Sequence, residues 1–265
     1  MRPCPCLKQA AVLLLPVIIV TSCQKELHNP DPIVTCTLSK ITYYDTSGVS
    51  DSAALLYSNG RIGRVNAVDY FYTFRYTNSR VSRIDYYENN GTSLGLFDSV
   101  VYDGSGAIQS VIFYSAGFGP WLPVGGYDLL FNSDGSIAKV TEKYMSATPG
   151  NLINTYEYAY TWSQGNITAV ATKDLILSFT DTLHYAFDNT PNYYKKFPTE
   201  FIFADNYLFG ITGFRFGAFV PFLYSQNNVS MLESLPITNE TDSRGNFSQL
   251  KVSSTTLAAY DYTCQ

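Results

Sequence analysis

Charge is scarce in this 265-residue chain, with Asp, Glu, Lys and Arg together making up 15%. Disordered chains pair high charge with low hydrophobicity, whereas 46% of residues here are hydrophobic, so most of the chain is expected to fold. A net charge of -5 sets up no field for phosphates, which excludes general nucleic-acid binding. Histidine is nearly missing. His28 and His184 are the only two, and no nucleotide or metal spacing accompanies them, so no cofactor and no metal site are expected. Nor does any apolar run reach the about 20 residues that a membrane-spanning helix needs. What the chain has in plenty is aromatic: 22 Tyr and 17 Phe, residue types that favour pleated, half-buried surfaces.

The longest uncharged apolar run, Ala10 to Val20, follows Arg2 and Lys8 and leads into Val20-Thr21-Ser22-Cys23. A charged start, a short apolar run and small residues form the layout of a secretory signal, so residues 1-22 read as a targeting segment outside the fold. The last four residues resemble a bacterial lipobox. That resemblance implies cleavage before Cys23 and acylation of its thiol and new amino terminus, since stable attachment to a bilayer needs two or more chains. It also implies a diderm bacterium, an outer-membrane address on the periplasmic or cell-surface face, and the membrane as a partner through the lipid. Residues 23-33 carry Gln24-Lys25-Glu26 and then Asn29-Pro30-Asp31-Pro32 without apolar periodicity, and read as a tether. Gln24-Lys25-Glu26 is similar to the surface-export tag of some diderm lipoproteins; an arbitrary polar linker would look the same.

Cys4 and Cys6 leave with the signal, and acylation consumes Cys23. Cys36, at the start of the first strand-like run, and Cys264, the penultimate residue, remain. In an oxidising compartment such a pair suggests a disulfide clasp between terminal strands, the alternative being two separate thiols. Two Cys alone lack the further ligands of a zinc site.

Residues 34-265 repeat one grammar. Leu55 to Val65 aligns with Phe74 to Ile84: an aromatic strand end, a turn of Asn, Ser, Asp or Gly, then an aliphatic residue followed three later by another. Tyr102 with Ile108 and Val111, Phe131 with Ile137 and Val140, and Tyr160 with Ile167 and Val170 continue it, and Val229 with Leu232 and Phe247 with Leu250 resume it later. Asn-Gly, Asp-Gly and Gln-Gly supply the positive φ of tight hairpin turns, so each copy reads as a β-hairpin. Residues i and i+3 of a strand face opposite ways unless a bulge intervenes. Each copy therefore implies a bulge or cover on both sheet faces. Tyr102, Asp103, Gly106, Ile108 and Val111 resemble the YD repeat of Rhs-type shell proteins, and diderm surface lipoproteins with few irregular repeats are similar. This resemblance implies a scaffold.

The expected fold is all-β: an antiparallel meander of hairpins forming a curled open or partly closed sheet. Twelve aromatics between Tyr193 and Tyr224 break the grammar and read as an insertion covering that sheet, with a short helix near Phe201 to Phe209. Chemistry has few carriers. His184 lies in a strand with no nucleophile elbow, and Glu142, Glu157, Asp128 and Asp174 become an acid-base pair only if the fold brings two together. Asp103-Gly104 and Asp134-Gly135 lack a spaced acidic loop, so they read as turns rather than calcium ligands. Arg61, Arg64, Arg80 and Arg83 hold equivalent places in the first two copies and could form a basic stripe for an anionic polysaccharide, or simply be exposed strand charges. Asp51-Ser52-Ala53, Asp98-Ser99-Val100 and Asp181-Thr182-Leu183 resemble a short O-glycosylation sequon, or are Asp turns at strand entrances. No catalytic residue is expected. The leading reading is a lipid-anchored envelope scaffold or binding protein for a glycan or another envelope protein; its rivals are a small glycan-active hydrolase and a membrane-spanning barrel.

Overall fold

The computed structural model describes residues 35–45, 48–117, 120–197 and 216–264. Residues 1-22 and 23-33, Cys23 among them, and the stretch 201–209 lie outside these. Cys36–Gln265 is one compact unit.

It is a sixteen-stranded antiparallel meander. The strands are β1 (Cys36–Asp45), β2 (Gly48–Ser58), β3 (Arg61–Asn66), β4 (Tyr70–Thr77), β5 (Arg80–Glu88) and β6 (Ser93–Tyr102). Next come β7 (Ile108–Ser115), β8 (Leu122–Phe131), β9 (Ile137–Met145), β10 (Leu152–Ser163), β11 (Asn166–Asp174) and β12 (Phe179–Pro191). A 3-10 turn (Tyr193–Lys196) and helix α1 (Phe216–Tyr224) precede β13 (Asn227–Leu232), β14 (Leu235–Thr241), β15 (Phe247–Val252) and β16 (Thr255–Cys264). Every strand pairs with its neighbours in sequence, and β1 pairs with β16 from Cys36↔Cys264 to Tyr43↔Ala258. The sheet therefore closes into a barrel, which corrects the expected open or partly closed sheet. Closure pairs the two strands that would otherwise be edges, and a pairing between chain ends leaves no local mark in a sequence.

The spacing of three is resolved by bulges. In β3, Ile62 pairs with Tyr57 but Arg64 pairs with Leu56, so Gly63 is extra. Ser82, Gln109, Ala138 and Thr168 are extra in the same way in the next four copies. The extra residue turns both aliphatics inward. Ile62, Val65, Ile137, Val140, Ile167 and Val170 are all fully buried. Leu38 and Ile41 in β1 form an eighth copy that the sequence reading missed, with Ser39 as its bulge. In the fifth copy Trp162, not Tyr160, faces Ile167. Its indole N–H donates to the Ile137 carbonyl at 2.8 Å, as the Tyr76 hydroxyl donates to that of Ile62 at 2.7 Å. Each ring thus caps the bulge of the copy before it. Three turns, Asn59-Gly60, Asn78-Ser79 and Gln164-Gly165, place both central residues at positive φ, the twist that suits a two-residue hairpin.

Alternate strands give the barrel two distinct ends. The near end carries those tight turns, the segment between β12 and β13, and the residues where the chain enters (Cys36) and leaves (Cys264). There the Sγ atoms of Cys36 and Cys264 are bonded across the β1–β16 seam, with Cα atoms 4.0 Å apart.

Of the aromatic segment, the described helix α1 plugs the barrel rather than covering a sheet. Phe216 through Leu223 are all buried, and α1 packs on inward-facing rings: Tyr127 meets Phe216 at 4.6 Å, and a Cβ on Gly217 would fall inside the Tyr158 ring. Pro221 has no N–H to offer the Gly217 carbonyl, and the Tyr160 hydroxyl donates to it instead at 3.0 Å. Tyr185 donates to the Ala218 carbonyl at 2.7 Å. Burial pushes both phenols up, so they remain donors. Asn192 closes the helix C-terminus through Nδ2, which donates to the carbonyls of Phe222 and Ser225.

Candidate functional site

Counting by twos from each buried aliphatic identifies what faces inward. Toward the near end these positions are apolar, aliphatics such as Ile62 and Ile167 facing aromatics such as Tyr57 and Trp162. Toward the far end they turn to tyrosines and carboxylates: Asp98 aligns with Ile84 and Phe113, and Glu142 sits between Tyr127 and Tyr156 across the strands. Asp51 pairs with Tyr43, and Asp174 with Tyr156. All four carboxylates are buried.

Each is held in a defined way. Glu142 accepts from the Tyr144 hydroxyl at 2.7 Å and from the Tyr158 hydroxyl at 2.9 Å. The Tyr86 hydroxyl donates to Asp98 at 2.6 Å, and the Tyr72 and Tyr86 rings lie 5.5 Å apart. Burial pushes the Asp98 carboxyl up to about 7, and the Tyr86 hydrogen bond only partly opposes this. Asp174 accepts the backbone N–H groups of Ile176 and Leu177 and so shapes the β11–β12 turn. Exposure then rises at inward positions nearest the far end: Tyr144 is 48% exposed, Ile153 42% and Phe179 61%. Solvent reaches inward-facing side chains here, so this end is the mouth of the barrel. Aromatic walls with a few placed polar groups are what small polar ligands require.

The carboxylates singled out from sequence separate. Glu142 and Asp174 share the inner face but flank Tyr156, two strand spacings or about 10 Å apart at the backbone. Glu157 and Asp128 face outward and pair with Lys139 and Lys143. His184 is exposed on β12. Asp103 accepts the N–H groups of Ser105, Gly106 and Ala107, and these hydrogen bonds, with that of the Ser105 hydroxyl first, hold its carboxyl low, as turn chemistry requires. The four arginines do not form one stripe. Arg61 and Arg80 lie 5.3 Å over the Tyr76 and Tyr102 rings of the following copies, whereas Arg64 and Arg83 cover Phe71 and Phe97 at 3.5 and 3.6 Å. Ser52, Ser99 and Thr182 occupy strands, not turns. The Asp51 and Asp181 carboxylates accept the N–H groups of Ser52 and Thr182. Sequence reasoning missed the inward roles of Asp51 and Asp98. Stepping by two from Tyr57 and Tyr102 would have found both.

The outer face is charged. Asp85 joins Arg75 and Arg83, and Lys251 pairs with Glu240 at 2.5 Å. A transmembrane barrel presents an unbroken apolar band outside, which these ion pairs interrupt here.

Among solved structures, a porin-like protein from Bacteroides uniformis matches at 14% identity and a TM-score of 0.51, over 86% of this chain and 98% of that one. The chain has the fold of that barrel. A porin-like protein from Bacteroides vulgatus matches at 11% identity and a TM-score of 0.49, over 86% of this chain and 98% of that one. The TcdB2-TccC3 structure matches at 16% identity and a TM-score of 0.37, over 82% of this chain but 11% of that chain. No family model matches the chain, and no curated protein matches it in sequence. At such identities the likeness concerns fold alone, and the first match carries it.

Proposed function

We propose that this protein is a water-soluble barrel, lipid-anchored in the bacterial envelope, that binds a glycan at its far end. The observation that carries this reading is the mouth. Inward-facing Tyr144, Ile153 and Phe179 are exposed at the end opposite Cys36 and Cys264, where the Tyr144 hydroxyl joins the buried Glu142 carboxylate. Ring faces suit the C–H faces of sugars, and carboxylates suit their hydroxyls. The lipobox before Cys23 supports the anchor, and charged pairs on the outer face argue that strands do not cross the bilayer. With the chain entering at the near end, anchorage there would present the mouth away from the membrane.

Calorimetric titration of the full-length exported protein against an envelope-glycan panel tests the reading. Tyr144→Ala and Phe179→Ala should each weaken binding about three- to tenfold, the worth of one aromatic contact. Binding that ignores both substitutions would place the ligand elsewhere. A protein partner at the same mouth is the second reading, favoured by Ile176 and Leu177, which are 62% and 77% exposed at the β11–β12 tip.

A further inference from the structure

Outside the barrel, strands β3 to β7 carry a second, separate assembly of rings and cations. Five of the eight arginines in the chain fall between Arg61 and Arg83, within a protein of net charge -5. Asp85 and Phe97 pair with each other and alternate with the inward Ile84 and Asp98, so both face outward. The Asp85 carboxylate is buried between two guanidinium groups, accepting from Arg75 at 2.6 Å and Arg83 at 2.7 Å. Arg83 in turn lies over Phe97 at 3.6 Å, and Phe97 stacks on Tyr114 at 4.6 Å and makes an edge-type contact with Trp121 at 4.9 Å. On the other flank Arg64 covers Phe71, stacked on Tyr87 at 5.0 Å.

Trp121 is 46% exposed, a large flat ring presented to water beside a guanidinium group. Arg64, Arg75 and Arg83 carry three positive charges against the single negative charge of Asp85, so the surface keeps a positive excess. Arginine suits this combination because its planar fork stacks on rings while its free edge takes a carboxylate in two hydrogen bonds. The band crosses four strand spacings, about 19 Å, which fits a short run of sugars better than one small anion.

We infer that this face binds an acidic polysaccharide whose sugars carry carboxylates, a polyuronate. A sugar ring lies on the exposed Trp121, and the carboxylates of the polyuronate meet Arg83 and Arg64. The site is independent of the barrel mouth.

The test is calorimetric titration of the full-length exported protein in detergent with oligogalacturonate, and with the same oligomer after its carboxylates are reduced to alcohols. Acidic oligomers should bind at least tenfold more tightly than the neutral ones, and more weakly as salt is raised. Trp121→Ala should weaken binding about tenfold, and Arg83→Lys, which keeps the charge near Asp85 but loses the fork, severalfold. Tyr144→Ala at the mouth should leave it unchanged, with thermal melts confirming that each variant folds. Equal binding of acidic and neutral oligomers, binding of neither, preference for anionic lipid vesicles over the oligomer, or sensitivity to Tyr144→Ala with indifference to Trp121→Ala would each overturn the inference.

Discussion

Gly217→Ala should destabilise the barrel, and the sign of the effect is informative. In an exposed helix this exchange stabilises by up to about 1 kcal/mol, because alanine is the better helix former. Here the added Cβ would enter the Tyr158 ring, whose hydroxyl is tied to Glu142 and which is 1% exposed, so the ring cannot easily step aside. Overpacking of this kind costs about 1–3 kcal/mol. If α1 withdraws instead, the hydrogen bond from Tyr160 to the Gly217 carbonyl is lost, and a buried group without its partner costs about 1–3 kcal/mol. Either route costs roughly 1–3 kcal/mol, and at about 2–4 °C per kcal/mol for a domain of this size the melting temperature should fall by about 2–12 °C. Differential scanning calorimetry reads this directly. An unchanged or raised melting temperature would mean that α1 does not lie inside the barrel against Tyr158.

Two further outcomes follow from buried groups and the seam. Because burial holds Asp98 near 7 in the folded protein against an ordinary 3.8, folding favours its protonated form; that contribution is complete below about pH 4 and is lost as pH rises through 7. Three pKa units correspond to about 4 kcal/mol, so Asp98→Asn should flatten the fall in stability between pH 4 and 7 and stabilise the protein at pH 8, as urea melts at pH 5 and 8 would show; parallel slopes in parent and variant would refute it. Reducing Cys36–Cys264, which closes a separation of 228 residues, should cost at most roughly 5 kcal/mol by chain entropy. Mass spectrometry of unreduced, proteolysed protein checks the bond, and two alkylatable thiols in exported material would contradict it.

Hairpins were legible in this sequence because their causes are local. Asn59-Gly60 and Gln164-Gly165 dictate their own turns, and Ile62 with Val65 already demanded either a bulge or two covered faces. Choosing between these took the sheet register, which the partners of Gly63 reveal. The copy at Leu38 and Ile41 was hidden because no turn precedes it: its partner strand, β16, is the last in the chain. For the same reason closure was not legible. Trp162 was misplaced because an aromatic two residues earlier, Tyr160, fits the pattern equally well by composition. The plug was least legible of all. Its helix is apolar on every side and carries a proline, so it shows no periodicity, and it forms against tyrosines supplied by β8, β10 and β12. Asp98 and Glu142 could have been placed inward by counting in twos, but their tyrosine partners come from neighbouring strands.

We propose that this barrel, with ion pairs on its outer face, is held to the membrane by the lipid at Cys23 and not by its strands. Fractionation of cells carrying Cys23→Ala tests it most directly. The account predicts that the variant, folded by its thermal melt, appears in the soluble fraction without detergent, while the parent stays with the membrane and incorporates labelled fatty acid. A folded Cys23→Ala protein that remained membrane-integral under alkaline carbonate washing would contradict the account and would mean that the strands themselves cross the bilayer.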